Sequence, residues 1–162
     1  MSARVAAAGT GEVSVATGLP VLDHLLTLLA RTGRFELSLE LPPADAEAEV
    51  AEAGRTLGDA FAALLRADAA LGHGSAMMPA QEALAQVALE VSPTALLASN
   101  VDLSAARVGG LRSDLAARFL ESFADAAGLT LHVRLIDGVD SQHVLEAIFK
   151  ALGAALAQAC RA

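Results

Sequence analysis

The sequence predicts an α+β fold made of two copies of one β-β-α-β-α unit, with the helices sandwiched between two four-stranded sheets. Three observations carry this. A shift of 95 positions places Gly33 under Gly128, Arg55 under Lys150, Leu57 under Leu152 and Gly58 under Gly153. Each copy then runs helix, glycine, alternating strand, helix, as an internal duplication would. The long Ala- and Leu-rich stretches are apolar nearly all round, which suits helices buried on both sides. The 162 residues suffice for one domain, with pseudo-repeat halves at about 1–70 and 80–162.

The elements follow in order. Residues 12–16 alternate as a strand, and Pro20 opens a helix to about Thr32 with Gly33 as its stop. Phe35, Leu37, Leu39 and Leu41 alternate with Glu36, Ser38 and Glu40, the pattern of a strand with one solvated face, ended by Pro42-Pro43. A helix over about 45–67 comes next, and the Gly- and Pro-flanked segment 72–79 reads as a loop between the halves. Strands over 82–91 and 96–103, a helix over 113–127, a strand over 129–136 and a helix over 141–161 complete the second unit.

Composition excludes several partners. A net charge of −8 without a basic cluster argues against nucleic acid and anionic membrane surfaces. No Trp or Tyr and five Phe leave few platforms for stacking bases or sugars. The amino terminus lacks an apolar core of signal-peptide length, so a cytoplasmic location is the expectation. Cys160, alone in an apolar helix, reads as a small buried hydrophobe.

The chemistry concentrates near the carboxy terminus. His132 sits in a strand that feeds a helix carrying His143, Glu146 and Lys150, and the helical period puts these last three on one face. An imidazole, a carboxylate and an ammonium side by side suggest a metal site with an anion clamp. The earlier copy carries Ala48 and Ala51 where the later one has His143 and Glu146. The plainer alternatives are a surface His/Glu pair, a solvated Lys150, an Arg107 paired to Asp102 or Asp114, an exposed His73, and a structural Glu82 heading a strand.

Thr17-Gly-Leu-Pro-Val-Leu-Asp23-His24-Leu-Leu, Pro79-Ala-Gln-Glu82-Ala-Leu-Ala, Arg107-Val-Gly109, Gly128-Leu-Thr-Leu-His132 and Ser141-Gln-His143-Val-Leu-Glu146-Ala-Ile-Phe-Lys150-Ala together resemble imidazoleglycerol-phosphate dehydratase of histidine biosynthesis. The resemblance runs in order from about residue 10 to the end. It implies a 24-subunit shell whose active sites are shared between subunits. It also implies a phosphorylated imidazole substrate and two divalent ions, usually manganese, acting as Lewis acids in the removal of water.

Residue by residue, the resemblance implies metal ligands at His24, His132, His143 and Glu146 and phosphate contacts at Arg107 and Lys150. Gln142 stands where the first histidine of a His-His-x-x-Glu helix would be. The earlier such helix reads Glu47 and Ala48 for its histidines and Ala51 for its glutamate, although a shift by two would bring in Glu49. Either register removes both histidines. The arginine of a Ser-Gly-Arg-Pro turn is lost near Thr94, an arginine loop has shrunk to Gly72-His73-Gly74, and an Asp-Gln pair is Thr27-Leu28. Three functions therefore stand: an impaired manganese-dependent dehydratase, a non-catalytic shell subunit or partner of an active paralogue, and a repurposed single-metal or small-molecule binder using His132, His143 and Glu146.

Overall fold

The computed structural model describes residues 2–6, 12–101, 107–108 and 111–161. The first half holds β1 (Ser2–Ala6), β2 (Val13–Ala16), α1 (Pro20–Gly33), β3 (Glu36–Glu40) and α2 (Ala46–Leu65). The second holds β4 (His73–Ala80), β5 (Ala83–Val91), β6 (Leu96–Ser99), β7 (Arg107–Val108), β8 (Leu111–Arg112), α3 (Ser113–Ala127), β9 (Leu129–Asp137) and α4 (Ser141–Cys160). The α+β duplication is as the sequence predicts: α2 and α4 occupy equivalent spans, opened by Asp45 and Asp140, whose carboxylates accept from the Ala48 and His143 amides.

Two expectations are corrected and one is completed. The segment 72–79 is not a loop but strand β4, paired along its length with β5. Its Pro79 is tolerated because β4 lies at a sheet edge, and its Gly74 lets the strand lie against the α4 backbone at Ala155. Strand β1, the first of the two strands that the repeat unit requires before α1, is given no range by the sequence pattern; it pairs antiparallel to β3 while β2 runs parallel on the other side. Among the described residues the two main sheets have three and four strands, ordered β1-β3-β2 and β4-β5-β9-β6, rather than four each.

Each sheet carries two helices, α1 and α2 on the first, α3 and α4 on the second, and across the middle α1 meets α4 while α2 meets α3. All five phenylalanines form one chain of ring contacts through this interior, from Phe35 through Phe61, Phe123 and Phe119 to Phe149. Helix α4 has the length and hydropathy to cross a membrane, yet its apolar window is 67% buried in the protein core, which accounts for its composition.

The two helix crossings are repeat-related and both depend on glycine. A Cβ on Gly58 of α2 would lie 2.8 Å from the Phe123 carbonyl oxygen of α3 and 2.7 Å from Ala126 Cβ. A Cβ on Gly153 of α4 would come closer still to the Leu29 carbonyl of α1. Gly33 also belongs to this crossing, because its Cβ would sit 2.5 Å from Gly153 O. It is therefore not the helix stop expected from sequence; that left-handed position is Arg34, at φ 58°.

The helix ends are held reciprocally. Arg66, just after α2, donates to Ala127 O (2.9 Å) and Gly128 O (3.3 Å) at the end of α3. Arg161, just after α4, donates to Gly33 O (2.8 Å) and Arg34 O (3.1 Å) at the end of α1. Each guanidinium satisfies carbonyls that a helix leaves unpaired and faces the negative end of its dipole.

An alanine at either crossing gains about 1 kcal/mol of helix propensity but must push a backbone aside. Overpacking of this kind costs about 1–3 kcal/mol, more where rigid backbone is the obstacle. Gly153→Ala is expected to lower the urea midpoint most. Gly58→Ala should lower it less, because part of its obstruction is the Ala126 side chain. An unchanged midpoint in Gly153→Ala would show that α1 and α4 can separate freely.

Candidate functional site

Helix α1 begins under a local lock. The buried Thr17 sends its backbone N–H (3.0 Å) and hydroxyl (2.5 Å) to Asp23 Oδ1, and its Oγ1 accepts from Leu19 N (3.2 Å). Asp23 is thus a structural brace, and the next residue, His24, is presented outward at the start of the helix. Helix α4 starts beside it. Both Glu146 and His24 precede the Leu29–Gly153 crossing by one to two turns.

The crossing brings together a compact donor set. His24 Nε2 lies 3.2 Å from Glu146 Oε2, and Gln142 Nε2 donates to the same oxygen at 3.1 Å. The Glu146 side chain is 18% exposed and that of His24 53%, so the carboxylate forms the floor of the cluster and the imidazole its wall. One turn further along α4, Lys150 Nζ donates to Pro79 O at 2.7 Å.

The hairpin between β4 and β5 reaches over the start of α4. Glu82 Oε2 accepts from Val139 N (3.2 Å) and Asp140 N (3.1 Å), while Oε1 lies 2.5 Å from His143 Nδ1. The His143 contact, helped by the two amides, holds the Glu82 carboxyl down to about 2. The same contact raises the His143 imidazole above its ordinary value, with Asp140 and Glu146 adding to the effect. The sequence reading treated Glu82 as structural; no local pattern signals that a hairpin carries it to residue 143.

His132 is placed elsewhere. In β9, Leu129, Leu131 and Val133 point into the core and His132 points out from the far face of the four-stranded sheet. There it borders an open cleft of ≈ 380 Å³ with His73, Ser75, Glu90, Thr130 and Gln158. One chain therefore brings His24, Gln142 and Glu146 into contact, with His143 and Lys150 on the same helix bonded to Glu82 and Pro79, and does not bring His132 to them. Arg107 lies in β7, whose backbone approaches α4; its side chain is outside the described residues.

The equivalent corner of the first half is bare. Because Asp45 and Asp140 cap their helices alike, Ala48 and Ala51 occupy the places of His143 and Glu146. Glu47 is exposed at the start of α2. Glu49 faces inward instead, 2% exposed, with neither carboxylate oxygen hydrogen-bonded. Burial pushes its carboxyl up, and the charges of Asp23 and Asp45 add to this.

Among the described residues no three His, Cys, Asp or Glu side chains converge closely enough to enclose a metal ion. The donor types nevertheless fit a divalent transition metal: imidazole and carboxylate at His24 and Glu146, with a second imidazole at His143, three residues before Glu146 on α4. These donors alone do not complete a coordination shell. Cys160, buried with its thiol pushed up to about 11, supplies neither a ligand nor a nucleophile.

Comparison with known proteins places this chain in a family. The family described as imidazoleglycerol-phosphate dehydratase matches residues 17–156. Curated imidazoleglycerol-phosphate dehydratases from Pelobacter propionicus and Syntrophobacter fumaroxidans are 39% and 40% identical over 157 residues, covering 94% of this chain and 80% of each relative. The Staphylococcus aureus imidazoleglycerol-phosphate dehydratase crystal structure superposes with a TM-score of 0.89 at 28% identity, covering 98% of this chain and 92% of that one. The Pyrococcus furiosus enzyme, solved in complex with (S)-C348, gives 0.86 at 26% identity, covering 98% and 87%.

The orphaned Glu49 leads to a stability prediction. A buried polar group without a partner costs about 1–3 kcal/mol, so Glu49→Met should raise the thermal midpoint. Since the folded carboxyl titrates above its unfolded value, the contribution of Glu49 itself is most favourable below the ordinary carboxylate range and is lost as pH rises through the raised value, whereas Glu82 and Glu52, held low, change stability in the opposite sense. Urea unfolding at a series of pH values should show the stability gained by Glu49→Met over the wild type growing as pH rises; a gain that does not change with pH would show that Glu49 is not the group titrating.

Proposed function

The chain belongs to the imidazoleglycerol-phosphate dehydratase family, and from that premise we propose that it is a metal-dependent hydro-lyase of histidine biosynthesis working with a reduced ligand set and reduced turnover. The observation that carries the reading is the meeting of His24 and Glu146 across α1 and α4, next to His143. Manganese, the ion implied by the resemblance, would be held there by His24, Glu146 and His143, with Gln142 a weak neutral donor. When bound, such an ion supplies Lewis-acid stabilisation of charge developing on the substrate.

The chain's own residues supply the rest. Lys150 follows Glu146 by one helical turn, and its ammonium can exchange the Pro79 carbonyl for a phosphate dianion. Glu146, already accepting from Gln142 and close to His24, is fixed in direction before any ligand arrives. A neighbouring chain in a symmetric shell would add His132, which is turned outward for such a role. The vacant corner at Ala48 and Ala51 removes a second ligand group, and this supports impaired rather than full activity.

The test is a manganese titration combined with a dehydratase assay on imidazole glycerol phosphate. About one equivalent per chain is expected, with turnover that is abolished by chelation and restored by manganese. Glu146→Gln removes a ligand charge outright and should weaken binding by more than about 10–100-fold, the loss when only an outer partner of a ligand is changed. Binding of manganese without turnover would favour a non-catalytic shell member, and no binding would end the metal reading.

A further inference from the structure

We propose that Glu82 is the positioning residue that sets the tautomer of His143, so that Nε2 is the nitrogen presented to a metal. The inference rests on the metal-site reading above and deepens it. Its ground is the division of labour between the two Glu82 oxygens. Oε2 is occupied by two backbone donors, Val139 N and Asp140 N, which fix the carboxylate against the start of α4. Oε1 is thereby aimed at His143 Nδ1, 2.5 Å away.

An ionised carboxylate can only accept, so Nδ1 must carry the proton. In the neutral ring that leaves the lone pair on Nε2, the atom farther from the hairpin. A carboxylate behind a ligating imidazole also raises its basicity and restrains its rotation. The backbone that carries the ring is fixed as well, because the cap Asp140 accepts from His143 N at 3.1 Å. Glu82 acts on no substrate; it acts through His143.

The same geometry designs its own test. In Glu82→Gln, the oxygen must stay with the two backbone N–H groups, because an amide NH2 facing them would leave three donors without an acceptor. The NH2 then faces Nδ1 and forces the His143 proton onto Nε2. The variant keeps the brace on α4 and inverts the tautomer, the logic by which an asparagine behind a catalytic histidine installs the wrong one. Glu82→Asp retains an acceptor and should restore the original state in part.

The experiment uses the full chain with 15N-labelled histidine in magic-angle-spinning NMR, at a pH above the His143 titration. Mn²⁺ alone is titrated in parallel and followed by electron paramagnetic resonance of the free ion. With four histidines in the chain, the His143 signals are assigned by their loss in His143→Gln. The wild type is expected to show Nδ1 protonated and Nε2 bare, and Glu82→Gln the reverse, with Mn²⁺ affinity lowered about 10–100-fold. Glu82→Asp should recover the wild-type tautomer and part of the affinity.

A wild-type His143 protonated on Nε2 would overturn the proposal, as would undiminished Mn²⁺ affinity in Glu82→Gln. Failure of the wild type to bind Mn²⁺ would overturn the metal reading itself and this role with it. The two failures are distinguishable, since only the first kind leaves wild-type binding intact.

Discussion

The architecture hangs on how closely two pairs of helices can approach. At Gly58 and Gly153, related by the repeat, one helix lies against the backbone of its neighbour with no room for a methyl group. Packed interiors transmit such constraints because there is little free volume to absorb a displacement. The α1–α4 approach fixes where the first turns of those helices stand, and thus where His24 meets Glu146. The α2–α3 approach does the same for the first half, where Ala51 stands at the position of Glu146 and has no ligating atom to offer.

Fold and chemistry are therefore separable in this chain. Both N-terminal helix turns are held by an aspartate cap, and both C-terminal ends of α1 and α3 by an arginine from the other half. None of these devices uses a functional side chain, so alanine at 48 and 51 costs the fold nothing. Glu49 is the exception: it charges the core without a partner, near Asp23 and Asp45. A duplicated scaffold can lose one copy of its site while the geometry of the other persists.

Much of this was legible in the residues. The 95-position shift located the glycine pair of the crossings and the matched helices, and strict alternation placed β3 and β9. The same shift also pairs Arg66 with Arg161, a signal that went unread because a single arginine past a helix end has no local pattern. Strand β4 was misread because glycine and proline usually mark loops; here the glycine answers a backbone contact and the proline an edge. Glu82 was beyond local reading, since its role depends on a hairpin meeting a helix sixty residues later in the chain.

The position of His132 carries one more consequence. Alternation in β9 commits Leu129, Leu131 and Val133 to the core beneath α4, and the two-residue period then sends His132 to the opposite face. No rotamer change can carry an imbalance of one residue through a packed sheet; the register would have to slip and expose three core side chains. A ligand set that uses both His132 and Glu146 consequently needs two chains. For such a ligand set, strand parity alone would impose association, before any interface is considered. On the proposed reading, the outward His132 is the one ligand of this chain that serves a neighbour and not its own α1–α4 cluster.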